Sequence, residues 1–216
     1  MINNIDKITV KNTSVWGFEH AMRGMRNPMN SWDKSDTAED GDKFAFVGDN
    51  DIKLAQSLAK GGPEHRKYLR MIHVAADFTL PRYIWSEFDT YHFNTQNSCS
   101  TMHKLLNNKE PISLEQFVYD DFLDTLMSYV VDTLNDLREE YLLAKDEQDT
   151  TKMNDLIATA KQILPEGYLQ LRTRDTNYEE LRNVYHQRKN HRLYREWGVI
   201  CRWIESLPYA KELLLS

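Results

Sequence analysis

The sequence predicts one α+β domain over residues 1–216, rich in helix and built around a small central β-sheet. Three observations carry this. Apolar residues recur at helical spacing over the longest patterned stretches, as in Leu123, Leu126, Met127, Val130, Leu134 and Leu137. One stretch, Tyr68 to Phe78, instead alternates with period two and contains β-branched residues. No repeat, low-complexity tract or linker divides the chain.

The elements follow in order. Ile5 to Lys11 alternates through Ile8 and Val10 and predicts a short half-buried strand, and a helix follows around Trp16, His20, Met22 and Arg23. Asn27 to Asp42, with its Asn-Pro, Ser-Asp and Asp-Gly pairs, reads as a polar loop. Asp49 to Lys60 is a helix that Asp49 or Asn50 can cap and that Gly61-Gly62 ends. After the strand at 68–78, Pro81 opens a buried helix over Arg82 to Thr90. Ser113 and Gln116 match a capping box, so the long helix is expected to run from Ser113 to about Lys145. Met153 to Leu164, Asn177 to Arg188 and Arg192 to Leu207 complete a helical C-terminal half.

Composition excludes several classes. A hydrophobic content of 41% beside 28% charged residues is that of a globular protein, not a disordered one. The formal net charge of −6 argues against a nucleic-acid coat, so an anionic ligand needs a local cluster of Lys and Arg. Cys99 and Cys201 make no disulfide framework, which points to a reduced compartment. The N-terminus lacks the basic and apolar regions of a signal peptide, and no run of about 18 apolar residues spans a membrane. The expected location is the cytoplasm.

Walker loops, paired Cys-x-x-Cys, His-Glu-x-x-His and nucleophile elbows are missing. The histidines are scattered, and His186 and His191, five apart, do not share a helical face, so no metal site is expected. Two features remain. Thr90 to His103, within the polar stretch Glu87 to Lys104, is a string of hydroxyls and amides with scarcely an aliphatic residue. Such a run suits the edges of a heterocycle or a phosphate, and equally a capped surface loop. The other is the cationic set Arg172, Arg174, Arg182, Arg188, Lys189, Arg192 and Arg195. It can meet an anion through guanidinium forks, or form a solvated face paired with Glu179, Glu180 and Glu196.

The spacing of these parts resembles the flavin-dependent thymidylate synthase family. That family has a Glu-His pair leading into a strand, then Arg-His-Arg, then Ser-x-Asn-Glu-x-Ser-x-Arg. Here Glu64-His65 leads into the strand, Thr90-Tyr91-His92 stands at the Arg-His-Arg, and Thr95 to Met102 lies on the last segment without a gap. A second block, Leu164-Pro165, Asn177, Leu181, Arg188, His191 and Glu196, follows the family's C-terminal order. Together the blocks cover Gly61–Lys104 and Ala160–Leu207. This chain departs from the pattern at Thr90 and His92, which replace arginines, at Ser98, which replaces the glutamate, and at Met102, which replaces the last arginine.

The resemblance implies a homotetramer that binds FAD and methylates dUMP, or a similar pyrimidine nucleotide, using methylenetetrahydrofolate and NADPH. It places Ser100 and Arg188 as catalytic residues, and His65, His92, Thr95, Asn97 and Asn177 against the cofactor. Ser98, Ser100, Arg188 and His191 fall to the nucleotide, with His92, His103 and Lys104 as substitute cations. The departures keep a second expectation open: a catalytically inactive relative serving as a nucleotide-binding or protein-binding regulatory module.

Overall fold

A computed structural model describes residues 1–40 and 43–216; the Gly41-Asp42 end of the expected polar loop lies outside the described residues. The chain divides into two compact units. One comprises Met1–Thr9, Phe78–Asp89 and Asn97–Arg172, the other Val10–Asp77, Thr90–Gln96 and Thr173–Ser216. Strands β2 (Thr9–Trp16), β5 (His73–Pro81), β8 (Leu169–Asn177) and β6 (Thr95–Ser98) form a four-stranded sheet in the order β2-β5-β8-β6. Two short antiparallel pairs join β1 (Ile2–Asn3) to β7 (Tyr119–Asp120) and β3 (Ala38–Asp40) to β4 (Lys43–Phe46).

In the first unit, α5 (Asp124–Asp146) packs on α6 (Thr150–Ile163). Their buried faces supply Leu134, Tyr141, Ala144, Ile157 and Ala160, which close over Phe117 and Leu106. The charged break between them is a tight turn. Gln148 takes a left-handed φ of 59°, and the Asp149 side chain accepts from Lys152 N at 2.9 Å to start α6. The short helix α3 (Arg82–Phe88) buries Trp85 and Phe88 against Phe78, with ring centroids 6.2 and 5.6 Å from it. A four-residue helix, α4 (Thr101–Lys104), follows β6.

In the second unit, α1 (Phe18–Arg26) buries Phe18, Ala21, Met22 and Met25. It follows β2 through Gly17, at φ 93°, where a Cβ would lie 2.2 Å from Met71 O, so only glycine makes this turn. The helices α2 (Asp49–Ala59), α7 (Tyr178–Arg188), α8 (Tyr194–Glu205) and α9 (Ala210–Leu213) complete the unit. The Tyr178 hydroxyl donates to Pro208 O at 2.6 Å. Among the described residues no helix is long and apolar enough to cross a membrane.

Several boundaries differ from the sequence reading for physical reasons. The strand expected from Tyr68 begins only at His73. Tyr68 and Leu69 are both buried, which neighbouring strand residues on a one-sided sheet do not achieve, and Lys67–Met71 winds as a 3-10 turn. The long helix starts at Asp124, not Ser113: the Ser113 side chain caps nothing, and Asp120 accepts from Phe122 N instead. Within the expected loop lie two 3-10 turns and β3. The helix at 49–59 is capped from a distance, by the Asp36 carboxylate accepting from Asn50 N and Asp51 N. Strand β8 went unread because its buried inward positions are Arg174 and Thr176, not aliphatics.

Asp51, fully buried on α2, fastens this region. It accepts from Arg26 Nε at 2.5 Å, Ser35 Oγ at 2.6 Å and the Thr37 hydroxyl at 2.6 Å. Burial works to raise its pKa, but hydrogen bonds from Ser35, Thr37 and Arg26 hold it below the ordinary carboxylate value. A depressed folded-state pKa gives stability that is complete above the unfolded value and lost as pH falls through the folded one. Asp51→Ala leaves Arg26 buried without its carboxylate and is expected to cost about 3–5 kcal/mol in urea denaturation at pH 7. The gap between wild type and variant should narrow below about pH 4; a gap independent of pH contradicts the assignment.

Candidate functional site

The polar run cannot be held by apolar burial, and its anchor is Tyr91, which is only 4% exposed. Every polar atom of this residue named here is engaged. Its carbonyl accepts from Arg174 Nη2 at 3.1 Å and from the Asn94 side chain. Its hydroxyl donates to Gln187 Oε1 at 3.0 Å and accepts from Arg188 Nε at 2.8 Å. Two residues on, Phe93 O accepts from the Thr176 hydroxyl at 3.0 Å. The turn before β6 is thus pinned by Arg174 and Thr176 of β8 and by Gln187 and Arg188 of α7, all in the second unit.

Arg188 ends α7 and is half-buried. Its guanidinium lies 4.7 Å from the Trp197 ring centroid and 5.5 Å from that of Tyr91, and its Nη1 is 3.0 Å from His191 Nε2. His191 Nδ1 accepts from Leu193 N at 3.2 Å, which leaves Nε2 facing the arginine. The bond to the Tyr91 hydroxyl and the approach to the Trp197 ring, a cation–π distance, hold the guanidinium in place. The structure therefore brings Arg188 and His191 together.

The other expected residues fall in distinct settings. Asn177 caps α7, its side-chain oxygen accepting from Glu180 N at 3.0 Å. His92 and Thr95 are exposed beside the Tyr91 turn. The buried Glu180 carboxyl faces Arg174 and His92; burial pushes its pKa above the ordinary value against those two groups. His65 stands apart on the loop after α2, with Nε2 3.4 Å from Glu64 Oε1. It lines an apolar groove of about 780 Å³ with Met25, Met29, Leu54, Leu58 and Met71, edged by Lys67 and Arg70. Arg70 also lines a smaller concavity of about 210 Å³ with Arg66, Phe93, Arg182 and His186.

In the first unit, Asn97 and Ser98 lie exposed on β6. Ser100 caps α4 by accepting from His103 N at 3.3 Å. Cys99 N donates to Leu171 O at 2.9 Å, and Cys99 O accepts from Gln170 Nε2 at 2.8 Å, so the segment is held by its backbone and its hydroxyls are presented. A cation that the sequence reading missed joins them: Lys161 of α6 reaches Thr101 Oγ1 at 3.3 Å. A single lysine on an exposed helix face carries no sequence signal. Trp197, read only as part of a helix, is likewise revealed by packing.

The cationic set does not form one patch. Arg172 makes a two-pronged bond to Asp89 at 3.0 and 3.1 Å and lies 4.3 Å from the Trp85 ring centroid. Arg174, 1% exposed, serves Tyr91, and Arg182 donates to Ser216 O at 2.5 Å. Strand alternation and burial consume these guanidiniums structurally. Among the described residues no group of three or more His, Cys, Asp or Glu is placed to hold a metal.

Tyr91→Phe deletes the hydroxyl between Gln187 and Arg188 while keeping the ring. It is expected to lower stability by about 1–2 kcal/mol in urea denaturation with an unchanged slope; a variant as stable as wild type contradicts the anchoring role.

No protein-family model matches the sequence, and no curated protein matches it. Solved structures do. The thymidylate synthase X of Helicobacter pylori, solved with FAD and dUMP, is similar over 96% of this chain and 97% of its own, with 19% identity and a TM-score of 0.69. A further structure of the flavin-dependent thymidylate synthase of Helicobacter pylori, complexed with FAD and dUMP, is similar over 95% and 97%, with 20% identity and a TM-score of 0.69. The UMP/dUMP methylase PolB of Streptomyces cacaoi, bound with 5-Br dUMP, is similar over 95% and 94%, with 14% identity and a TM-score of 0.58. The resemblance read from the motifs is borne out at the level of architecture, and the chain has the fold of the flavin-dependent thymidylate synthases.

Proposed function

We propose that this protein is a divergent thymidylate synthase-like protein that binds a dUMP-type pyrimidine nucleotide and methylates it with methylenetetrahydrofolate. FAD and NADPH complete the reaction, in a homo-oligomer, a tetramer by analogy. The observation that carries this reading is the likeness over nearly the whole of both chains to structures solved with FAD and dUMP.

The residues suit the cofactor's chemistry. A dinucleotide needs a flat apolar wall and cations for its pyrophosphate, and the His65 groove offers both, with Met25, Leu54 and Leu58 inside and Lys67 and Arg70 at its edge. Its size lies within the roughly 300–1,000 Å³ of cofactor pockets. FAD, when bound, supplies hydride chemistry. His65 and Arg70 of this groove serve to bind and orient it, and the resemblance gives His92, Thr95, Asn97 and Asn177 the same part. Ser98, Ser100 and Lys161 present hydroxyls and a positive charge to a nucleotide phosphate. In the second unit, Arg188, over the Trp197 ring and flanked by His191, serves as an anion ligand.

A second reading, an inactive nucleotide-binding or protein-binding regulatory module, is favoured by the internal engagement of Arg188 and by Thr90, His92, Ser98 and Met102 at the family's charged positions. Calorimetric titration with dUMP tests the first reading. Each lost charge-assisted contact is worth about 1.5–3 kcal/mol, so Lys161→Ala and Arg188→Ala should each weaken binding about tenfold or more. Unchanged affinity in both variants contradicts the assignment. Tight dUMP binding with no methylated product, in the presence of FAD, NADPH and methylenetetrahydrofolate, favours the second reading.

A further inference from the structure

The first unit carries a polar concavity of about 790 Å³ that the proposed function does not use. Its lining includes four cations, Lys104, Lys109, Arg138 and Lys145, against one carboxylate, Glu110. In a chain of net charge −6 this local excess is unexpected. Among the described residues none of the four is ion-paired, whereas Arg26, Arg66, Arg82 and Arg172 each have a carboxylate partner.

Arg138 gives the second, independent observation. It comes from α5 and is only 9% exposed. Its Nη2 donates to two carbonyls, Asn108 O at 2.7 Å and Lys109 O at 2.8 Å, while its Nε is buried with no hydrogen-bond partner. A guanidinium withdrawn from water without a counter-charge is costly, and carbonyl dipoles offset only part of that cost. Arg138 lines the concavity, so its field reaches into it. On the same wall, Lys145 Nζ donates to the neutral Asn107 Oδ1 at 2.9 Å, which holds the ammonium in place without neutralising it.

We infer that this concavity is a binding site for a small polyanion with several closely spaced negative oxygens, an oligophosphate or a short polycarboxylate. Lys104, Lys109 and Lys145 are its ligands. Arg138 is a positioning residue, since its two carbonyl bonds shape the 107–110 loop and its charge biases the site. Neither Arg188 nor Lys161 takes part in the site, and the tested pair, Lys109 and Lys145, has no part in the nucleotide reading; Lys104 alone is common to the two.

The test is calorimetry on the whole protein at about 50 mM salt, where screening is modest, with inorganic tripolyphosphate and with tri-glutamate as probes. The variant is the exposed pair Lys109→Gln with Lys145→Gln, which leaves Arg138 and the fold intact. Saturable one-to-one binding of tripolyphosphate, weakened at least about tenfold in the double variant, supports an oligophosphate source. The same pattern with tri-glutamate alone supports a polycarboxylate source. Equal binding by wild type and double variant overturns the proposal. So does no binding of either probe at about 1 mM, or binding only of a single-stranded oligonucleotide.

Discussion

Thr90 to His103 contains almost nothing that water would expel, yet it must occupy a defined place if it is to present its hydroxyls and amides. The solution is a buried tyrosine whose carbonyl and hydroxyl are both taken up from inside. Arg174 from β8 reaches the carbonyl of Tyr91, and Gln187 and Arg188 from α7 meet its hydroxyl. Hydrogen bonds to charged donors replace the apolar contacts that usually fix a segment. The arrangement has a consequence for the arginines. A guanidinium buried at 174 is spent on architecture, while the one at 188 is held by the Tyr91 hydroxyl and lies over the Trp197 ring.

The first unit fastens its share of the run differently. There the backbone of Cys99 is held to Leu171 and Gln170, and the Ser100 side chain caps the short helix that follows. Lys161 then supplies a positive charge beside Thr101 that the segment itself lacks. This bears on the missing motif arginines. Charge lost at 90, 92 and 102 need not be restored at those positions, because any helix that passes the segment can deliver it.

Much of this was legible from residue patterns. The helices at 49–59, 82–88, 150–163, 178–188 and 194–205 lie close to where residue spacing places them, and Asn177 caps α7 at a position the motif singled out. The misses share a cause. β8 hides its strand character because Arg174 and Thr176 take the inward positions, and the cap of α2 comes from Asp36, which folding brings back over the helix. Lys161 and Trp197 acquire their roles from neighbours distant in sequence, and no local pattern marks them. The hydroxyl run stood out as a candidate from composition alone, whereas the structural use of Arg172 and Arg174 depended on packing and burial.

The proposed function requires that this fold serve a flavin and a pyrimidine nucleotide. Incubating the purified protein with FAD, with and without dUMP, and passing it through a desalting column tests this most directly. The account predicts that flavin co-elutes with the protein with a shifted visible band, and that dUMP increases the retained fraction. Protein that elutes colourless under both conditions contradicts it.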